Sequence, residues 1–148
     1  MTLLGFGEDS LIFFDYQFTF FEIIASFISI FLGIVMTQSG FDKILNWEGE
    51  LNFITEKFAK TPLASTSTFG LIQVTIFEVL SGLLSFFGAF MVLFYDEVSY
   101  GIMGLILAGI SLCILMLGQR LSKDYEGAAV LVSYFLLNMF GLFIYAQI

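Results

Sequence analysis

Four long apolar runs decide what this chain can become. They cover residues 18–38, 69–94, 100–117 and 128–148. A helix needs about 20 mostly apolar residues to cross a bilayer, and each run is close to that length. A membrane barrel would instead show short segments of alternating polarity, and no such alternation is visible. Composition agrees, with 59% of residues apolar and only 12% charged, against about 25% charged in soluble domains. A soluble domain of this size has too little interior to hide that much apolar surface. The expected fold is therefore all-α: a polytopic four-helix transmembrane bundle over residues 18–148.

Two further stretches lie outside the runs. Residues 1–17 carry Glu8, Asp9 and Asp15 and no basic residue, which is unlike a secretory signal. Their apolar clusters predict a short N-terminal segment lying against the bilayer edge. The long connection between helices one and two holds Phe41, Ile44, Leu45, Leu51, Ile54 and Phe58 at helical spacing, with charges between them. That pattern predicts an amphipathic interfacial helix, with Trp47 as its anchor. The same face would equally suit docking of another subunit. Thr61-Pro62 should end the helix, and residues 65–68 offer N-cap candidates for the second span.

All five basic residues fall in alternate connections: Lys43, Lys57 and Lys60 in the first, Arg120 and Lys123 in the third. The positive-inside rule then makes that side cytoplasmic and leaves both termini on the other, periplasmic side. The net charge of −8 argues against nucleic acid. With no His and a single Cys, Cys113, the chain by itself offers no usual metal site, no disulfide and no Ser-His or Cys-His pair. No metal and no catalytic residue are expected. The expected partners are the lipid bilayer and other membrane subunits.

Glu78 is the most informative residue, because it sits near mid-depth in the second run. A bare carboxylate there is costly, so it should be protonated or closely partnered. Ser81, Gly82, Ser85 and Ala89 follow it at helical spacing and should turn its face inward. It could serve packing alone, or mark a ligand, quinone or proton site. Depth places Ser29, Ser111 with Cys113, and Asn138 near the middle of the other runs, so these with Glu78 are expected to form one sparse polar layer. Cys113, at similar depth, reads as a small buried residue. Glu22, near a helix end, reads as reaching the headgroups. The spacing from Gly104 to Ala108 favours close helix approach.

The run Gly33-x5-Ser39-Gly40-x-x-Lys43, the pair Glu78-x-x-x-Gly82, and Gly118-Gln119-Arg120 with Asp124 and Gly127 occur in an order that resembles the DoxX/DoxD-like membrane proteins, Bacteroidota-type members in particular. The resemblance implies a four-helix protein of the bacterial inner membrane. Some such proteins are small subunits of thiosulfate:quinone oxidoreductase, and others accompany thiol or oxidative-stress systems. Gly40, Lys43, Glu78, Gly82 and Asp124 are the matched positions, and the resemblance assigns them no catalysis. On this reading the chain is first an accessory subunit of a larger respiratory or envelope complex, without a cofactor of its own. The alternatives are a quinone-linked redox component with Glu78 handling a proton, and a carrier of a lipid or small molecule.

Overall fold

The computed structural model describes residues 10–13 and 16–148. A short hairpin comes first: β1 (Ser10–Phe13) pairs antiparallel with β2 (Tyr16–Thr19), Ser10 opposite Thr19. Five helices follow: α1 (Phe20–Leu45), α2 (Trp47–Phe58), α3 (Ser67–Tyr95), α4 (Ser99–Leu121) and α5 (Tyr125–Tyr145). Four of them, α1, α3, α4 and α5, are long and apolar enough to cross a membrane. The chain is a multi-pass membrane protein with an all-α, four-helix bundle. Residues 10–13 and 16–17 of the expected interfacial segment over residues 1–17 belong to this hairpin, and residues 1–9 and 14–15 lie outside the described residues. Aromatic and β-branched residues around the turn favour paired strands over a lone surface segment.

Strand becomes helix at Thr19, through a capping box. Glu22 N–H donates to Thr19 Oγ1 at 3.3 Å, and Thr19 N–H donates to Glu22 Oε2 at 2.8 Å. Two donors that no helical turn would satisfy are met in this way. Glu22 is thus buried and committed to the cap, rather than reaching for the headgroups.

α1 runs well past residue 38, where Ser39-Gly40 resembles a stop. The glycine instead marks a crossing. A Cβ on Gly40 would lie 2.6 Å from Val79 Cγ2 and 3.1 Å from the Val79 nitrogen, so only glycine lets α3 come this close. The amphipathic helix is correspondingly shorter than expected: Phe41, Ile44 and Leu45 belong to α1, and α2 begins at Trp47. Its face of Leu51, Ile54, Lys57 and Phe58 lies against the end of the bundle. It closes after Phe58, ahead of Thr61-Pro62. Thr66 takes the N-cap position of α3, without a side-chain cap.

α1 packs on α3 and α5, and α4 packs on the same two, so the four spans form a ring of neighbours. Small residues bring α3 and α4 together. Gly88 stands against the Gly101 backbone, and a Cβ on Gly104 would lie 2.7 Å from the Ser85 nitrogen. The expected Gly104–Ala108 pair is therefore only partly the contact, since Ala108 packs with Met36 and Leu112. Outward faces carry the large apolar side chains, Phe27 and Phe69 among the most exposed. Such a surface needs lipid around it. All five basic residues gather at the end that α2 covers, and Asp96 and Glu97 turn the chain at the opposite end.

Candidate functional site

Beneath the basic end, where α1 crosses α3, Glu78 meets a cation. Lys43 Nζ stands 2.9 Å from Glu78 Oε2, with the carboxylate side chain 1% and the lysine side chain 14% exposed. Helical side chains lean toward their own N-terminus. Lys43 therefore reaches back one turn into the bundle, where a lysine near a helix end could have stretched to the headgroups. Its ammonium donates to Ser39 Oγ at 2.8 Å and to Ser39 O at 3.2 Å. Ser39 Oγ donates in turn to Glu78 Oε1 at 3.1 Å. The approach to Oε2 is a charge contact without the alignment of a hydrogen bond, so that oxygen keeps a free lone pair. The ion pair and Ser39 form a closed, neutral ring joining α1 to α3.

Of the expected polar layer, Glu78 and Ser111 share a depth. The Gly88–Gly101 and Ser85–Gly104 contacts set the antiparallel register of α3 and α4, and that register places Ser111 opposite Glu78. Asn138 sits beside Leu105 and Gly109, roughly one turn nearer the acidic end. Its Nδ2 donates to Leu105 O at 3.0 Å. Ser29 does not belong to the layer. It pairs with the Tyr145 hydroxyl at 2.8 Å, and ten residues of helix separate it from Ser39, about 15 Å of rise. The expectation placed the midpoint of α1 too early, because α1 extends to Leu45. Cys113 is exposed, against the expectation of burial. Two residues apart on a helix, Ser111 and Cys113 point in opposing directions, and Ser111 holds the inward one. Gly82 faces Thr37 so closely that any Cβ would meet its hydroxyl and backbone. Buried Thr37 Oγ1, Ser85 Oγ, Ser111 Oγ and Asn138 Oδ1 have no partner among the described residues.

A cavity of about 310 Å³ opens beside this pair. α3 and α4 wall it with Leu71, Val74, Ile114 and Leu115, while Ile54 and Phe58 of α2 cover it. Lys43 forms part of its inner wall, whereas Glu78 and Ser39 lie behind. The volume and the mostly apolar walls are those of a small-molecule pocket. Trp47, the expected anchor, lies elsewhere: with Ile44, Ile72 and Val79 it lines a separate apolar groove where α1 ends beside α3.

Lys57 fastens the cover. Its Nζ donates at 2.7 Å to both Gln119 Oε1 and Asp124 Oδ2, tying α2 to the α4–α5 connection. Phe58 packs against Gly118, where a Cβ would lie 3.1 Å from its ring. Asp124 also caps α5, its Oδ1 accepting from Gly127 N–H at 2.9 Å. The bond from Lys57, and then that from Gly127, hold the Asp124 carboxyl below its usual range. A depressed carboxylate stabilises the fold above its unfolded pKa, and the contribution fades as pH falls through the folded value. The tie should accordingly hold at neutral pH and fail only under acid below the ordinary aspartate range. Lys57→Met should speed amide exchange across residues 47–58 at neutral pH while leaving the interior of α3 protected. Unchanged exchange in α2 would show that the tie does not hold the cover.

Ser39 entered the sequence reading only as a motif position and Lys57 only as a basic residue, and Tyr145 escaped it altogether. The spacing of Ser39 and Lys43, four apart on one helix face, was the available signal for the first. For the other two, the pairing depends on chain folding across more than 60 residues. Compared with protein-family models, with curated proteins and with solved structures, the chain has no match.

Proposed function

We propose that this chain is a binding protein of the bacterial inner membrane, of the DoxX-like four-helix kind. Its basic end faces the cytoplasm, and it holds a small apolar or amphipathic molecule in the cavity beneath α2. The observation that carries this reading is the juxtaposition of that cavity with the Lys43–Glu78 pair, which supplies a polar inner wall to an apolar pocket. The resemblance gains support from the same place. Gly40 and Lys43 of α1 meet Glu78 of α3, 35 or more residues on, at one helix crossing, and Asp124 anchors the cover.

A quinone is the candidate ligand that the resemblance suggests. Glu78 does not line the cavity, so any proton it exchanges with a bound quinol would pass through Ser39 or Lys43. Docking of other membrane subunits is the alternative role. The exposed Phe faces suit lipid and protein alike, which is why the cavity ranks first.

Gly70 provides the test. It lines the cavity, and an added Cβ there meets nothing within 4 Å. Gly70→Leu should fill the pocket without straining the bundle. Native mass spectrometry after gentle solubilisation should find one small-molecule adduct per wild-type chain and none in the variant. Identical adducts in both proteins would overturn the reading, and larger subunits in the wild-type spectrum would favour docking.

A further inference from the structure

The cavity beneath α2 has a polar group that nothing else in the fold uses. Gln73 lines it, five residues before Glu78 along α3, about 7.5 Å of rise. No hydrogen bond engages its side-chain amide among the described residues. The amide offers a donor and an acceptor together, which suits a neutral hydroxyl, carbonyl or ester. The one charge on the cavity wall and the one lysine on its cover are already paired: Lys43 is closed on Ser39 and Glu78, and Lys57 on Gln119 and Asp124. A charged headgroup drawn into the cavity would lose its hydration and find no uncompensated partner.

Access points the same way. Phe69 and Leu117, both on the cavity wall, are 67% and 54% exposed. They stand at the basic ends of α3 and α4, on the apolar outer surface that spanning helices turn to lipid. A molecule can reach this side of the cavity from the bilayer.

Resting on the binding-protein reading above, we propose that the ligand is a neutral, hydrogen-bonding amphipath of single-chain size. It enters sideways from the membrane, with its polar group on the Gln73 amide and its apolar body against Leu71, Val74, Ile114 and Leu115. The self-neutralised Lys43–Glu78 pair selects against fatty acids and alkylamines of the same length.

Matched probes test this directly: a twelve-carbon alcohol, carboxylate and ammonium ion, each titrated onto the full chain in mild detergent and followed by native mass spectrometry. The alcohol should bind once per chain and at least tenfold more tightly than either ion. Gln73→Leu should weaken alcohol binding about three- to tenfold, the effect of one lost hydrogen bond. Gly70→Leu should abolish it. If the carboxylate or the ammonium ion binds as tightly as the alcohol, and Gly70→Leu blocks it, the neutral class is wrong while the cavity stands. Unchanged alcohol affinity in Gln73→Leu would remove the amide from recognition. If no probe binds and Gly70→Leu leaves the native adducts unaltered, the binding-protein reading itself falls.

Discussion

Lys43→Met is expected to lower the stability of the bundle by about 3–5 kcal/mol, the usual cost of removing one member of a buried ion pair. The variant strands Glu78, which is 1% exposed and whose other contact is a single serine hydroxyl. Glu78→Leu should cost less. Lys43 keeps 14% exposure, and with its partner gone its long stem can turn from the bundle toward the headgroups. Replacing both by apolar residues of similar volume should recover most of the loss, because neither charge then remains to be compensated. Denaturation of all four proteins in the same mixed micelles, followed by circular dichroism, completes the cycle. Additive single losses would show that the two charges are not coupled, and a Lys43→Met loss under about 1 kcal/mol would place the pair in well-hydrated surroundings.

The second large effect belongs to Gly88. A Cβ added there would overlap the backbone nitrogen and Cα of Gly101. Backbone atoms cannot rotate aside as a side chain can, so α3 and α4 would have to separate along their whole contact. Gly88→Ala should cost about 3 kcal/mol, at the upper end for overpacking, and Gly88→Leu should prevent assembly of the bundle. Gly70→Ala is the matched control. Its added methyl meets open space, and alanine should stabilise the helix by about 0.5–1 kcal/mol. If Gly88→Ala unfolds like the wild type, close approach at this crossing is not what holds α3 to α4.

The contrast between these two glycines shows where sequence reading stops. Both stand in apolar helical runs, and nothing local separates a glycine under another backbone from one beside a cavity. Ser39-Gly40 is a similar case. Its composition suits a helix end, yet the helix continues because Gly40 lies at the crossing with α3. Glu78 was legible as a residue requiring a partner, since a carboxylate in an apolar run is costly wherever it points. Its partner was not, because Lys43 lies beyond the apolar run and only the continuation of α1 to Leu45 turns it into the bundle. Ser29 and Ser111 looked equivalent by depth, and one helix boundary moved by seven residues separated them.

The number of spans, their membrane setting and the gathering of basic residues at one end follow from the chain alone. They depend only on the length of each apolar run and on its order, and the cost of leaving backbone groups unpaired in lipid makes each run helical. The pairing of Lys43 with Glu78, the cavity beneath α2 and the Lys57 tie were decided by tertiary structure. Each depends on how a helix is rotated about its axis and how far it is shifted against its neighbour. In a chain apolar on nearly every face, periodicity hardly constrains either, and the close contacts of Gly40, Gly82, Gly88 and Gly104 do.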